Sequence, residues 1–245
     1  MAKATPDGHT LLLAGGAQVA IPHLYRNVPW DAIRDFQPVA GIARGEFLLV
    51  VNPSVPVRSV GELIALARKR PGELNYATSS TGGPTHLAAV QFEMLAAVKM
   101  QQVPYKGGGP AMTDLIAGQV QLGFANPASA MTFVRSEKLR AIAVTGETRL
   151  EALPAVPTFT EGGLPGLAMR NWNAIAAPAA TPRAIIQKLE AVVMKASALP
   201  EVRAAITKQG LFPYSASAEE IDSMRRRDIV AVGKVIKAAN IRMMD

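Results

Sequence analysis

The 245-residue sequence contains no cysteine, which excludes disulfides, thiolate metal sites and cysteine nucleophiles together. Aromatic residues make up only 5%, so an aromatic-rich all-β core is disfavoured relative to layers of aliphatic helix on sheet. No apolar run approaches the roughly 18–20 residues that span a bilayer. A secretory leader is expected to be absent, because Met1 to Gly8 reads as a turn without an apolar stretch. The three histidines, His9, His23 and His86, have no metal-ligand spacing, and no metal or cofactor is expected.

What is present is an ordinary globular composition, 49% hydrophobic and 18% charged, with a formal net charge of +7. Such a charge could draw in nucleic acid, anionic membrane or small acids. The basic residues are spread out, however, and the one tight run, Arg225 to Arg227, reads as a solvated helix face. Clustered basic and aromatic residues are lacking, so no nucleic-acid partner is expected.

Short apolar runs alternate with helical stretches, which predicts an α/β fold. Strands are expected at Thr10 to Ala14, Phe47 to Val51, Leu74 to Ala77, Met100 to Val103, Val120 to Phe124, Leu139 to Thr145 and Asn171 to Ile175. Ser59 and Glu62 form a capping box for a helix reaching Arg70, which Pro71-Gly72 ends. Another helix opens at Thr85, and the chain from Thr181 is mostly helical, broken near Pro200 and between Gly210 and Pro213.

Three predicted strands end in loops of small polar residues, at Gly15-Gly16, at Thr78 to Thr85 and at Asn126. Such loops carry the ligand sites of α/β sheets. The segment Ser79-Ser80-Thr81-Gly82-Gly83-Pro84-Thr85 leads into a helix whose start favours a carboxylate or phosphate. The equally ordinary alternative is that these hydroxyls only cap the helix.

Nine short motifs then occur in a particular order. They are Pro6 to Leu12, Leu49 to Ser54, Gly72 to Ala77, Pro84 to Ala88, Val103 to Gly107, Thr113 to Val120, Leu139 to Thr145, Pro154 to Thr158 and Gly233 to Ala239. This series resembles the substrate-binding receptors of tripartite tricarboxylate transporters, the Bug or TctC-like family. The resemblance implies a periplasmic-binding-protein fold of type II-like, two-lobed form, with two strands crossing a hinge. Lobe 1 is expected to comprise 1–50 plus 173–245, and lobe 2 to comprise 51–172. It also implies a monomeric periplasmic receptor that closes on a small carboxylate and hands it to membrane permease subunits.

Against that family the chain is expected to lack roughly fifty residues at its start, about half a small domain, leaving a sheet edge open. It also departs at Ala125, where the resemblance leads one to expect Asp before Asn126, so a non-amino carboxylate is the expected ligand.

On this reading the ligand-binding residues are Gly15, Gly16, Ala17, Thr78, Ser79, Ser80, Thr81, Thr85, His86, Tyr105, Asn126 and Trp172, and no catalytic residue is assigned. His86 and Trp172 also have plain structural readings, as a helix-start residue and as a packing aromatic. No G-x-S-x-G elbow, phosphate loop, dinucleotide fingerprint or H-E-x-x-H motif is present, so the enzyme class has no motif behind it. Two alternatives stay open: an enzyme acting on a small anionic metabolite, and a truncated receptor that no longer binds.

Overall fold

In the computed structural model, residues 1–167, 171–238, 241 and 243 are described; Ala239, the last residue of the motif series, lies outside them. The chain divides into two compact units, Met1–Gly45 with Asn171–Asp245, and Glu46–Arg170. The chain elements, in order, are β1 (Leu12–Gly15), α1 (Gly16–Leu24), β2 (Phe36–Gly45), β3 (Leu48–Val51), α2 (Val60–Lys69), β4 (Asn75–Thr78), α3 (Pro84–Ala96), β5 (Gln101–Pro104) and α4 (Gly108–Ile116). There follow β6 (Leu122–Ala125), α5 (Pro127–Arg135), β7 (Arg140–Val144), β8 (Asn171–Pro178), α6 (Arg183–Ser197), α7 (Pro200–Lys208), β9 (Phe212–Ser217) and α8 (Ala218–Ala238). The fold is mixed α/β, and among the described residues no helix is long and apolar enough to cross a membrane.

The first unit holds a four-stranded sheet of order β1-β8-β2-β9, antiparallel throughout. β1 is an edge strand; Leu13 within it is 64% exposed and Leu11 just before it 41%. β2 contains Pro38, Gly41 and Gly45, and its ladder with β8 slips between Pro38 and Ala40 and again between Gly41 and Ala43. Each slip lets the strand bend while keeping its neighbours. A Cβ at Gly41 would meet Ile221 Cδ1 at 2.8 Å and Ala216 Cβ at 3.0 Å, so a larger residue there would make these neighbours shift.

The second unit holds a five-stranded sheet of order β5-β4-β6-β3-β7. β4 runs parallel to β5 and to β6, while β3 lies antiparallel between β6 and β7. Every residue of β3 and β6 is buried, as expected for strands covered on both faces. Leu49 and Val51 of β3 and Leu122 and Phe124 of β6 pack with Phe92, Leu63, Tyr76 and Phe159 into one apolar cluster.

The structure divides the chain after Gly45, earlier than the expected boundary at 50/51. The reason is pairing: Leu48 to Val51 is hydrogen-bonded on both sides within the second sheet. At the other boundary Asn171 and Trp172 already pair with Gly45 and Arg44, so β8 belongs wholly to the first unit rather than starting after residue 172.

Candidate functional site

β4, β5 and β6 point the same way, and each is followed by a helix, α3, α4 and α5 respectively. Off their carboxyl ends lies a cavity of about 190 Å3, formed entirely by residues of the second unit. It is lined by Thr85 from the first turn of α3, by Gly108 at the start of α4, and by Asn126 and Ser129 at the start of α5. Ser79 completes the polar rim; Ala77, Ala111, Met112, Leu115, Gly123, Phe124 and Ala125 form an apolar wall.

None of these three helices is closed by a side-chain cap. The contrast within the same unit is α2, where Ser59 Oγ accepts from Glu62 N at 3.2 Å. A helix start leaves backbone N–H groups without intrahelical partners and carries partial positive charge. Gly107, the residue before α4, sits at φ +109°, which suits glycine and lets the chain turn sharply into the helix. Pro84 and Pro127 open α3 and α5 at a position where a missing N–H costs nothing. Three uncapped helix starts and several hydroxyls therefore meet at one small pocket. Among the described residues, no Asp, Glu, Lys, Arg or His lines it.

The loop from Ser79 to Gly83 is pinned from several sides. Ser79 N donates to Thr85 Oγ1 at 3.3 Å, and the two hydroxyls lie 3.2 Å apart. Gly107 N donates to Ser79 O at 2.9 Å, tying the loop to the start of α4. Gln102 Nε2 donates to Thr78 Oγ1 at 2.9 Å and to Thr81 Oγ1 at 3.4 Å. Gly82 N donates to His86 Nδ1 at 2.8 Å.

Of the residues singled out from sequence, Ser79, Thr85 and Asn126 meet at the cavity. Thr78 and His86 are buried behind it, and Ser80 and Thr81 belong to the loop without lining it. Tyr105 lies outside the lining, and its hydroxyl donates to Asp114 Oδ2 at 2.8 Å. Burial and that carboxylate push its phenol up to about 12. Gly15, Gly16 and Ala17 belong to the first unit, at the end of β1 and the start of α1, where Gly15 and Ala17 line a separate cavity of about 390 Å3 with Gln18 and Trp30. Trp172 is also in the first unit, 2% exposed, with its ring N–H donating to Asp228 at 2.9 Å.

Gly108, Ser129 and the apolar wall other than Ala125 were not singled out as ligand-binding from the sequence. Two signals pointed to them: Asn126-Pro127 is a helix-opening pair that places Ser129 in the first turn, and Gly107-Gly108 opens α4. The wall residues look like any other core alanine or leucine in sequence, so nothing local marks them.

Residues 1–241 match the sequence profile of the Tripartite tricarboxylate transporter family receptor. The chain belongs to that family. A protein encoded in the tcbD–tcbE intergenic region of Pseudomonas sp. is 36% identical over 86% of this chain, and this chain spans 63% of that relative's length. Among solved structures, R. palustris Rpa4515 with adipate is 33% identical, with a TM-score of 0.85 over 99% of this chain and 82% of that one. MatC from Rhodopseudomonas palustris with bound malate is 28% identical, with a TM-score of 0.80 over 96% of this chain and 81% of that one. The tripartite tricarboxylate receptor fold is thus the fold of this chain.

Proposed function

We propose that this protein is a monomeric periplasmic receptor that captures a small non-amino dicarboxylate and delivers it to the permease of a tripartite transporter. The observation that carries the reading is the meeting of three uncapped helix starts at a pocket with no ionisable side chain among its described lining residues. Fixed N–H groups and hydroxyls hold an anion without a counter-charge. Adipate and malate in two structures of similar fold support a dicarboxylate. The pocket is smaller than the 300–1,000 Å3 typical of drug-sized ligands, which suits a short acid.

The absence of a carboxylate from the lining argues against an amino acid, because an ammonium group buried there would have no partner. The same absence weighs against an enzyme, since no lining residue is a general acid or base of useful pKa.

A thermal melt against mono-, di- and tricarboxylates and their amino analogues tests the reading. A dicarboxylate present at a hundred times its Kd adds about 2.7 kcal/mol, an upward shift of several degrees. An equal shift from the amino analogue would remove the non-amino assignment. A cooperative melt that no acid shifts would remove the receptor reading itself.

A further inference from the structure

His86 is 5% exposed and lies one residue beyond Thr85, yet it does not line the pocket. Its ring stacks on Tyr76 of β4, with centroids 6.4 Å apart and planes inclined by 20°. Its Nδ1 takes a hydrogen bond from the backbone N–H of Gly82 at 2.8 Å. A backbone N–H can only donate, so this nitrogen must carry a lone pair and the ring must be neutral, protonated at Nε2. Gly82 itself sits at φ +73°, a left-handed conformation, at the tip of the loop that presents Ser79 to the pocket.

We propose that His86 is the positioning residue of the pocket: its neutral ring clamps the loop of residues 79–83 through Gly82, and proton uptake by the ring releases the loop and weakens ligand binding. The proposal rests on the receptor reading for its ligand, but the clamp can be observed without one. The Ser79 and Thr81 contacts of this loop are all to hydroxyls, amides or carbonyls, none of which titrates. His86 is therefore the one acid-sensitive fastening among them. The loop residues Ser79 to Gly83 contribute no ionisable side chain. On the other side Tyr76 stacks against the ring, and Glu93, on the same helix as His86, lies 3.4 Å from the Tyr76 hydroxyl.

Burial lowers the ring from its ordinary value of 6.5 to about 4, because the charged imidazolium is poorly solvated there. The unfolded chain therefore takes up this proton near pH 6.5, while the folded chain resists until about pH 4. The contribution of His86 to stability is complete above pH 6.5 and is lost as the pH falls toward 4. Pocket affinity responds later, as the folded ring itself titrates.

The test compares the wild type with His86→Gln, whose amide oxygen can accept from Gly82 but cannot titrate, and with His86→Phe, which keeps a stacking ring and lacks an acceptor. Amide exchange followed by NMR is read at Gly82 against the amides of β6 in the same sample. In the wild type, Gly82 protection should fall relative to β6 as the pH drops through about 4, where the folded ring takes up its proton. In His86→Gln this relative fall should be absent, and in His86→Phe Gly82 should be unprotected at every pH.

Adipate affinity is then measured by calorimetry. At pH 7 His86→Phe should lose about tenfold, and His86→Gln should recover part of that loss. Ligand protonation is common to all three proteins, so the ratio of wild-type to His86→Gln affinity isolates the ring. That ratio should fall as the pH drops through about 4, the region in which the folded ring titrates. If Gly82 behaves as stated but adipate binds none of the proteins, the dicarboxylate reading fails and the clamp stands. Retained Gly82 protection in His86→Phe, or an identical pH course in wild type and His86→Gln, would overturn the clamp.

Discussion

Arg226 and Arg227 are exposed, as a solvated helix face requires, whereas Arg225 beside them is 5% exposed. Its guanidinium donates to the carbonyls of Ala32, Phe36 and Ile33 at 3.0, 2.9 and 3.2 Å and to the Asp222 carboxylate. Five fixed donors match that set of acceptors, which lysine could not do. Arg225→Ala would leave three carbonyls without this donor and Asp222 with fewer partners. We expect a loss of about 3 kcal/mol in urea unfolding, with the slope unchanged. Ala125 gives the complementary case, a residue whose smallness matters. It lines the pocket at the end of β6. Ala125→Asp would set a negative charge against a bound anion, so calorimetry should show at least a tenfold weaker adipate affinity. Binding of an α-amino dicarboxylate should suffer much less, because its ammonium gains a partner.

The helices show where local sequence suffices and where it does not. α2 was legible in outline: Ser59 caps it and Pro71-Gly72 follows its end at Lys69, while Glu62 reaches back one residue further than a capping box, accepting from Arg58 N at 2.5 Å rather than from Ser59 N. Ser59→Ala should cost about 1 kcal/mol, read from the midpoint of denaturation. α3 ends differently, at Ala97 with φ 50° and ψ 52°, a left-handed residue where glycine is usual. Ala97 is exposed, so its methyl packs little. Ala97→Gly removes the strain and is expected to raise stability by about 0.5–1 kcal/mol after the greater freedom of the unfolded chain is offset. A gain near zero would mean the backbone at 97 is relaxed. The strands β2 and β9 had no clear signature. Pro38, Gly41 and Gly45 break the alternation of β2, and its bulges are set by pairing with β8, a partner remote in sequence. β9 spans Phe212 to Ser217, where Gly210 to Pro213 reads as a break, and among the described residues its one strand partner is β2. Local propensity cannot report such pairings.

The candidate site divides along the same line at the scale of the molecule. Loops such as Ser79 to Thr85 announce themselves by composition, whereas Ala77, Ala111 and Phe124 become pocket wall only through the order of the sheet. All of these residues lie between Glu46 and Arg170, one continuous stretch with its own five-stranded sheet and its own apolar cluster. The other unit is assembled from two separate stretches, and it has an exposed edge at β1. It also has an apolar groove of about 430 Å3 lined by Leu13, Ile42, Val202, Ile206 and Leu211. The first unit should therefore be the less stable. Both tryptophans, Trp30 and Trp172, fall in it, so their fluorescence reports its unfolding alone, while circular dichroism reports both units. In urea the emission of buried Trp172 should shift at a lower concentration than that at which most of the ellipticity is lost, a separation that two-state unfolding does not allow. A fragment of residues 46–170 should then unfold in one cooperative step matching the later transition of the whole chain. Coincident transitions in the whole chain, together with a fragment that melts without cooperativity, would show that the continuous unit depends on its neighbour for stability.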